Sequence, residues 1–75
     1  MNWSAQISIF YEDGRVSMTA AHFEYAGSVD DPVSSVEDLA IAAYRAKYVD
    51  PLIAVGIDPG IKQVVVDKHG PGTWL

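Results

Sequence analysis

The chain of 75 residues contains no cysteine, which excludes disulfide staples and thiolate zinc sites. Basic residues are scarce: five Lys and Arg stand against ten Asp and Glu, for a net charge of −5. A duplex binder needs clustered Lys and Arg to neutralise phosphates. Here they are scattered, so no direct nucleic-acid binding is expected. No apolar run approaches the roughly 20 residues that span a bilayer, and the opening MNWSAQIS has neither a basic n-region nor an apolar h-region. A cytoplasmic protein without membrane contact is the expectation. Internal repeats and low-complexity blocks are missing too, and no serine precedes nucleophile-elbow glycines.

A chain this short supports one small domain, 1–75. It would bury roughly 60% of its unfolded surface, a thin margin that oligomerisation can widen. What is present is β-forming sequence at the start. WSAQISIFYE and RVSMTAAHFEY flank Asp13-Gly14, the signature of a hairpin, here spanning 3–25. A two-residue loop sets Tyr11 against Val16, Ile9 against Met18 and Ile7 against Ala20, pairing apolar with apolar. A three-residue loop sets Ile9 against Ser17 and Ile7 against Thr19, and one slip of register turns every side chain of a strand to the other face. Alternation therefore predicts the shorter loop. The predicted core face is Trp3, Ala5, Ile7, Ile9 and Tyr11 with Val16, Met18, Ala20 and His22. Phe10 and Phe23 fall together on the opposite face. A lone hairpin is marginal in water and needs a lid.

AGSVDDPV after Tyr25 reads as a loop, and Ser34-Ser35-Val36-Glu37 as a capping box. The spacing predicts a helix over 35–49 with Val36, Leu39, Ala40, Ala43 and Ala46 on one stripe. Tyr44 borders that stripe, and Ile41 and Tyr48 flank it. Packing inside the domain is the favoured role of these tyrosines, and an apolar edge facing a partner the other. Asp50-Pro51 is expected to stop the helix, since a residue before proline is pushed out of the helical region. Residues 51–56 read as a further short helix in preference to a strand, and IKQVVVD at 61–67 as a strand. The end, 68–75, reads as an extended tail carrying Trp74.

The segment AVGIDPGIKQVVVD at 54–67 resembles the opening motif of RuvC-type nucleases and the related transposon-encoded nucleases. There a strand ends in a metal-binding Asp and a turn leads into a second strand. The match falls on Asp58, with Gly56 before it and Gly60 after, and covers about a fifth of the chain. The resemblance implies a metal-dependent, RNase H-like nuclease fragment. Two-metal chemistry needs several placed oxygens, and Asp58-Pro59-Gly60 is also ordinary turn chemistry, so this stands as the alternative reading. His22 and Glu24 share a strand face and His69 lies downstream, but two ligands do not make a metal site. Asp30, Asp31, Glu37 and Asp38 gather at the start of the helix, where they complement its dipole.

The fold expected is α+β, ββαβ: a three-stranded, mainly antiparallel sheet with one long helix packed on one face. The uncovered sheet face and the open edges then invite association. The function expected is that of a small acidic, non-enzymatic interaction or regulatory protein, working through a protein partner and as a homo-oligomer, most simply a dimer. Neither cofactor nor metal is expected. The candidate interaction surface is Phe10, Phe23, Tyr44, Tyr48 and Trp74. The small size suggests a phage- or mobile-element-borne inhibitor or antitoxin-like module, and the order strand, Asp-Gly, strand, Ala-rich helix loosely resembles the N-terminal part of HicB-type antitoxins. A structural subunit of a larger assembly is the third class.

Overall fold

The computed structural model describes residues 1–73. Three strands, β1 (Asn2–Tyr11), β2 (Val16–Glu24) and β3 (Ile61–Pro71), form a sheet of order β2-β1-β3 with both neighbouring pairs antiparallel. The β2-to-β3 connection carries the helix across one face of the sheet. The architecture is the expected α+β arrangement. β1 takes the centre because one of its faces, Trp3, Ala5, Ile7 and Ile9, is wholly apolar and each residue is at most 1% exposed. Burying a side chain the size of isoleucine contributes roughly 1.5–3 kcal/mol, so this face anchors the fold.

The hairpin departs from the two-residue loop. Phe10 pairs with Val16, Ile9 with Ser17 and Ile7 with Thr19. The Tyr11 amide donates to the Arg15 carbonyl at 2.9 Å and the Gly14 amide to the Tyr11 carbonyl at 3.1 Å. Gly14 sits at φ +91°. This is the three-residue loop, a type I turn closed by a left-handed glycine in a bulge. Asp13 holds it from inside: its carboxylate accepts from the Arg15 amide at 3.0 Å and from Arg15 Nε at 2.6 Å. Local turn chemistry thus overrides apolar matching. The slip inverts β2 relative to the expectation, so Ala21 and Phe23 face the helix while Val16 and Met18 face away, 57% and 60% exposed. His22 is likewise exposed.

A 3₁₀ turn (Val33–Ser35) leads into α1 (Glu37–Tyr44), a π-helical stretch (Arg45–Val49) and α2 (Asp50–Ala54), one continuous helix of 18 residues. No serine caps it: Val36 occupies the N-cap without a side-chain bond, and the expected capping box does not form. Proline does not stop the helix either. In an α-helix a proline loses its amide bond and its ring strikes the carbonyl four residues back. The wider π turns, with the Asp50 amide reaching the Arg45 carbonyl, redirect those carbonyls, and Pro51 enters in the first turn of α2. The end is a Schellman motif: Ile57 donates to Leu52 at 2.9 Å and Gly56 to Ile53 at 3.0 Å, with Gly56 at φ +81°.

Val36, Ala40, Tyr44 and Val49 are the buried helix residues, while Leu39 is 43% exposed and Ala46 is exposed. The stripe is therefore rotated from the expected one towards Tyr44. The small side chains Ala40 and Ala21 share the core with Ile7, Ile9 and Val66. β3 continues to Pro71, four residues past the expected 61–67, because Trp3 to Gln6 pair with Pro71 to Lys68. Residues 68–71, expected to begin a tail, are thus sheet.

Candidate interaction surface

The sheet has two unlike faces. Towards the helix lie the core residues. On the other face β1 presents Ser4, Gln6, Ser8 and Phe10, a row without charge. Antiparallel partners point to the same face, so Phe10 stands beside Val16 and Ser8 beside Met18, with Val65 opposite Ser8 on the other flank. Phe10 is 37% exposed and Val65 half-buried. Phe10, Val16, Met18 and Val65 thus make one apolar area at the hairpin end, ringed by Gln6, Ser8, Ala20 and Gln63. Charge reaches its rim: the Ser8 hydroxyl donates to Asp67 Oδ2 at 2.5 Å and Lys68 pairs with Gln6, while Glu24 lies at the other end of the sheet.

Of the described residues expected to form this surface, only Phe10 belongs to it. Phe23 pairs with Trp3 on the helix side and packs half-buried against the core. Tyr44 is 5% exposed and is core; burial, then the neighbouring Tyr11 hydroxyl, raises its pKa above the usual tyrosine value. Tyr48 lies on the helix, 41% exposed, with its ring 5.5 Å from that of Tyr44 and the Lys47 ammonium 5.4 Å above it. Trp74 falls outside the described residues. Sequence reasoning missed Val16 and Met18, having assigned them to the core. The signal was there: Gly after Asp suits the left-handed third position of a three-residue loop, which turns both residues outward.

The opposite end of the molecule is closed by polar contacts. Trp3 Nε1 donates to His69 Nδ1 at 3.0 Å, and His69 Nε2 lies 2.8 Å from the Asp31 carbonyl. Since indole only donates, Nδ1 accepts and the proton sits on Nε2, which donates to Asp31. The Tyr25 hydroxyl donates to Asp31 Oδ2 at 2.5 Å and the Ser28 amide to the same oxygen at 2.9 Å. These bonds, and then the nearby His69, hold the Asp31 carboxyl below its ordinary value, while Asp31 in turn raises the Tyr25 hydroxyl. The Trp3 and Tyr25 rings meet edge to face at 5.1 Å. Gly27 closes the loop against them; a Cβ there would strike both Asp31 Oδ2 and the Tyr25 ring. Asp31 therefore leaves the acidic cluster to tie the 26–32 loop to the ends of β1 and β3.

Asp58 is exposed in the loop after the helix, its Oδ1 accepting from the Gly60 amide at 2.8 Å. The strand that the nuclease resemblance implies before it is replaced by α2 and its Schellman turn. His22 and His69 occupy opposite faces of the sheet, since they pair with the adjacent residues Ser4 and Ala5. Glu24 is ion-paired with the N-terminal ammonium at 2.9 Å. Among the described residues no three His, Asp or Glu gather as a metal site, and no helix is long and apolar enough to cross a membrane. A cleft of about 300 Å³ between helix and sheet is lined by Tyr11, Ser17, Thr19, Tyr44, Tyr48 and Leu52. Compared with known protein families, curated proteins and solved structures, the chain matches none.

Proposed function

We propose that this is a non-enzymatic protein-interaction domain whose working surface is the uncovered sheet face at the hairpin end. One observation carries the reading: Phe10, Val16 and Met18, at 37%, 57% and 60% exposure, adjoin on a sheet face whose central strand presents no charge. A solvated sheet face ordinarily alternates polar side chains outward, and contiguous exposed apolar area marks association. The matching partner surface is apolar where it meets Phe10, Val16 and Met18. Regulators of the inhibitor or antitoxin type act through contacts of this kind, within the cytoplasm.

The test compares proteins retained by immobilised wild-type chain with those retained by Met18→Lys and by Val55→Lys. Val55 is 71% exposed at the end of the helix, away from this face. A partner retained by wild type and Val55→Lys but lost by Met18→Lys supports the reading. Equal retention by all three proteins, or by none, overturns it.

A further inference from the structure

The two outer edges of the sheet differ in how they are guarded. On β3 the breaks in its pairing with β1 fall at Asp67 and Lys62, each an extra residue with no Cα partner opposite. Lys68 and Pro71 lie on the same strand, and the 26–32 loop docks on its end where His69 meets the Asp31 carbonyl. Charge, bulges, proline and a covering loop are the usual protection against an added strand. β2 has none of these. VSMTAAHFE contains no proline or glycine, its one charge is Glu24 at the last position, and it pairs with β1 without a register shift.

This bare edge carries a row of bonding groups. The Tyr11–Arg15 and Tyr25–Met1 bonds fix the odd-numbered residues of β2 as those bonded to β1. The amides and carbonyls of Val16, Met18, Ala20 and His22 therefore point away from the sheet. Among the described residues none of these groups has a backbone partner.

Hollows flank the edge on both sides. On the helix side, the cleft of about 300 Å³ opens beside Ser17 and Thr19, walled by Tyr44, Tyr48 and Leu52. On the open face, a hollow of about 280 Å³ lies among Gln6, Met18, Thr19 and Ala20. A strand laid along β2 sends successive side chains to opposite faces, and so alternately towards these two hollows.

Building on the interaction reading above, we infer that β2 takes up an extended segment of a partner protein as a fourth strand. Main-chain bonds to the four outward residues hold it, and its alternate side chains seat in the two hollows. The walls of both are uncharged, so the fitting segment is uncharged with apolar side chains at every second position. A second copy of the domain fits this edge less well. Two copies paired antiparallel through β2 would set both helices on one side of the joined sheet, where α1 already packs on β2. A segment without a helix meets no such obstacle.

Displayed random peptides of about ten residues, panned against the immobilised full chain, supply the probe, and the enriched sequences are synthesised. Enrichment of uncharged peptides with alternating apolar residues is expected. In the complex the amides of Val16, Met18, Ala20 and His22 should gain protection from hydrogen exchange. Ala20→Pro removes one outward amide that the isolated domain does not use, a change that edge strands tolerate. It should weaken binding by about tenfold or more, and Val55→Lys should leave binding unchanged. N-methylation of the peptide tests the ladder from the other side. Methyl groups on one alternate set of its amides should abolish binding, and on the other set leave it intact. Far-UV circular dichroism shows whether Ala20→Pro folds; where it does not, the methylated peptides carry the test.

A library that yields no enriched peptide overturns strand addition. So does binding indifferent to methylation, or to Ala20→Pro in a folded variant, and so does a complex in which none of the four amides gains protection. If strand addition fails while a partner retained by wild type is still lost by Met18→Lys, the edge falls and the open-face reading stands.

Discussion

The two faces of one central strand behave as two different materials. On the helix side of β1, Trp3, Ala5, Ile7 and Ile9 are at most 1% exposed, and Trp3 is tied by its indole N–H to His69. On the other side Ser4, Gln6, Ser8 and Phe10 grade from buried at the clasped end to exposed at the hairpin end. The difference shows where the domain invests in stability and where it keeps surface in reserve. Polar contacts lock the end where both chain segments meet the 26–32 loop. The hairpin end, held by a self-contained turn, can present Phe10, Val16 and Met18 without weakening the core.

Substitutions on either side should make that contrast measurable. The largest effect is expected from Ile7→Ala, which leaves a cavity under the helix at a fully buried site. Urea unfolding should show a loss of about 2–5 kcal/mol, against which a change below about 1 kcal/mol would mean that the helix-side core is looser than its burial implies. Next comes Gly27→Ala. The glycine is required for space, since its added methyl would meet Asp31 and Tyr25, and a cost of about 1–3 kcal/mol is expected in the same measurement.

A smaller effect, about 1 kcal/mol, is expected for Trp3→Phe, which keeps most of the packing and removes the bond to His69. pH probes the same closed end. Asp31 is lowered from 3.8, so its contribution is complete above that value and disappears as pH falls through the lower folded value. Tyr25 is raised from 10.0, so its contribution is complete below that value and disappears as pH rises through the higher folded value. Thermal melts across pH should therefore show Asp31→Asn with a shallower acid limb than wild type. Asp13 is also lowered, chiefly by the Arg15 amide, so some acid slope should survive in that variant. The smallest effect belongs to the open face: Met18→Thr should alter monomer stability by no more than about 0.5 kcal/mol. A larger loss would place Met18 in the core after all.

Much of the fold was legible because it rests on local or repeated signals. The apolar row of β1, the helix-forming run after residue 36 and the valines of β3 each announce their element. The register of β2 was misread for a definite reason. Alternation along VSMTAAHFE has apolar residues on both faces, so matching apolar to apolar chose the wrong one, while the four hydrogen bonds that close the turn from Tyr11 to Arg15 decided the matter. That single residue of slip moved Phe23 into the core and Val16 and Met18 out of it, and with them the candidate surface. The helix passing Pro51 was unreadable for another reason: a π stretch leaves no mark in composition, and the residues on either side of it that pack in the core, Tyr44 and Val49, are placed by tertiary contact.

The closed end was hidden in another way. Trp3, Tyr25, Asp31 and His69 are spread over most of the chain, and no motif joins them. Only the docking of β3 beside β1 brings His69 to Trp3.

By itself, the order of residues determined the element types, the central apolar strand and the absence of disulfide or thiolate chemistry, since these depend on side-chain kind and short-range spacing. The local turn at Asp13-Gly14 set which side of β2 faces water. Tertiary structure alone decided which tyrosine is core and which acid becomes a clasp, because those outcomes depend on how the helix crosses the sheet and where β3 docks, and distant contacts settle both.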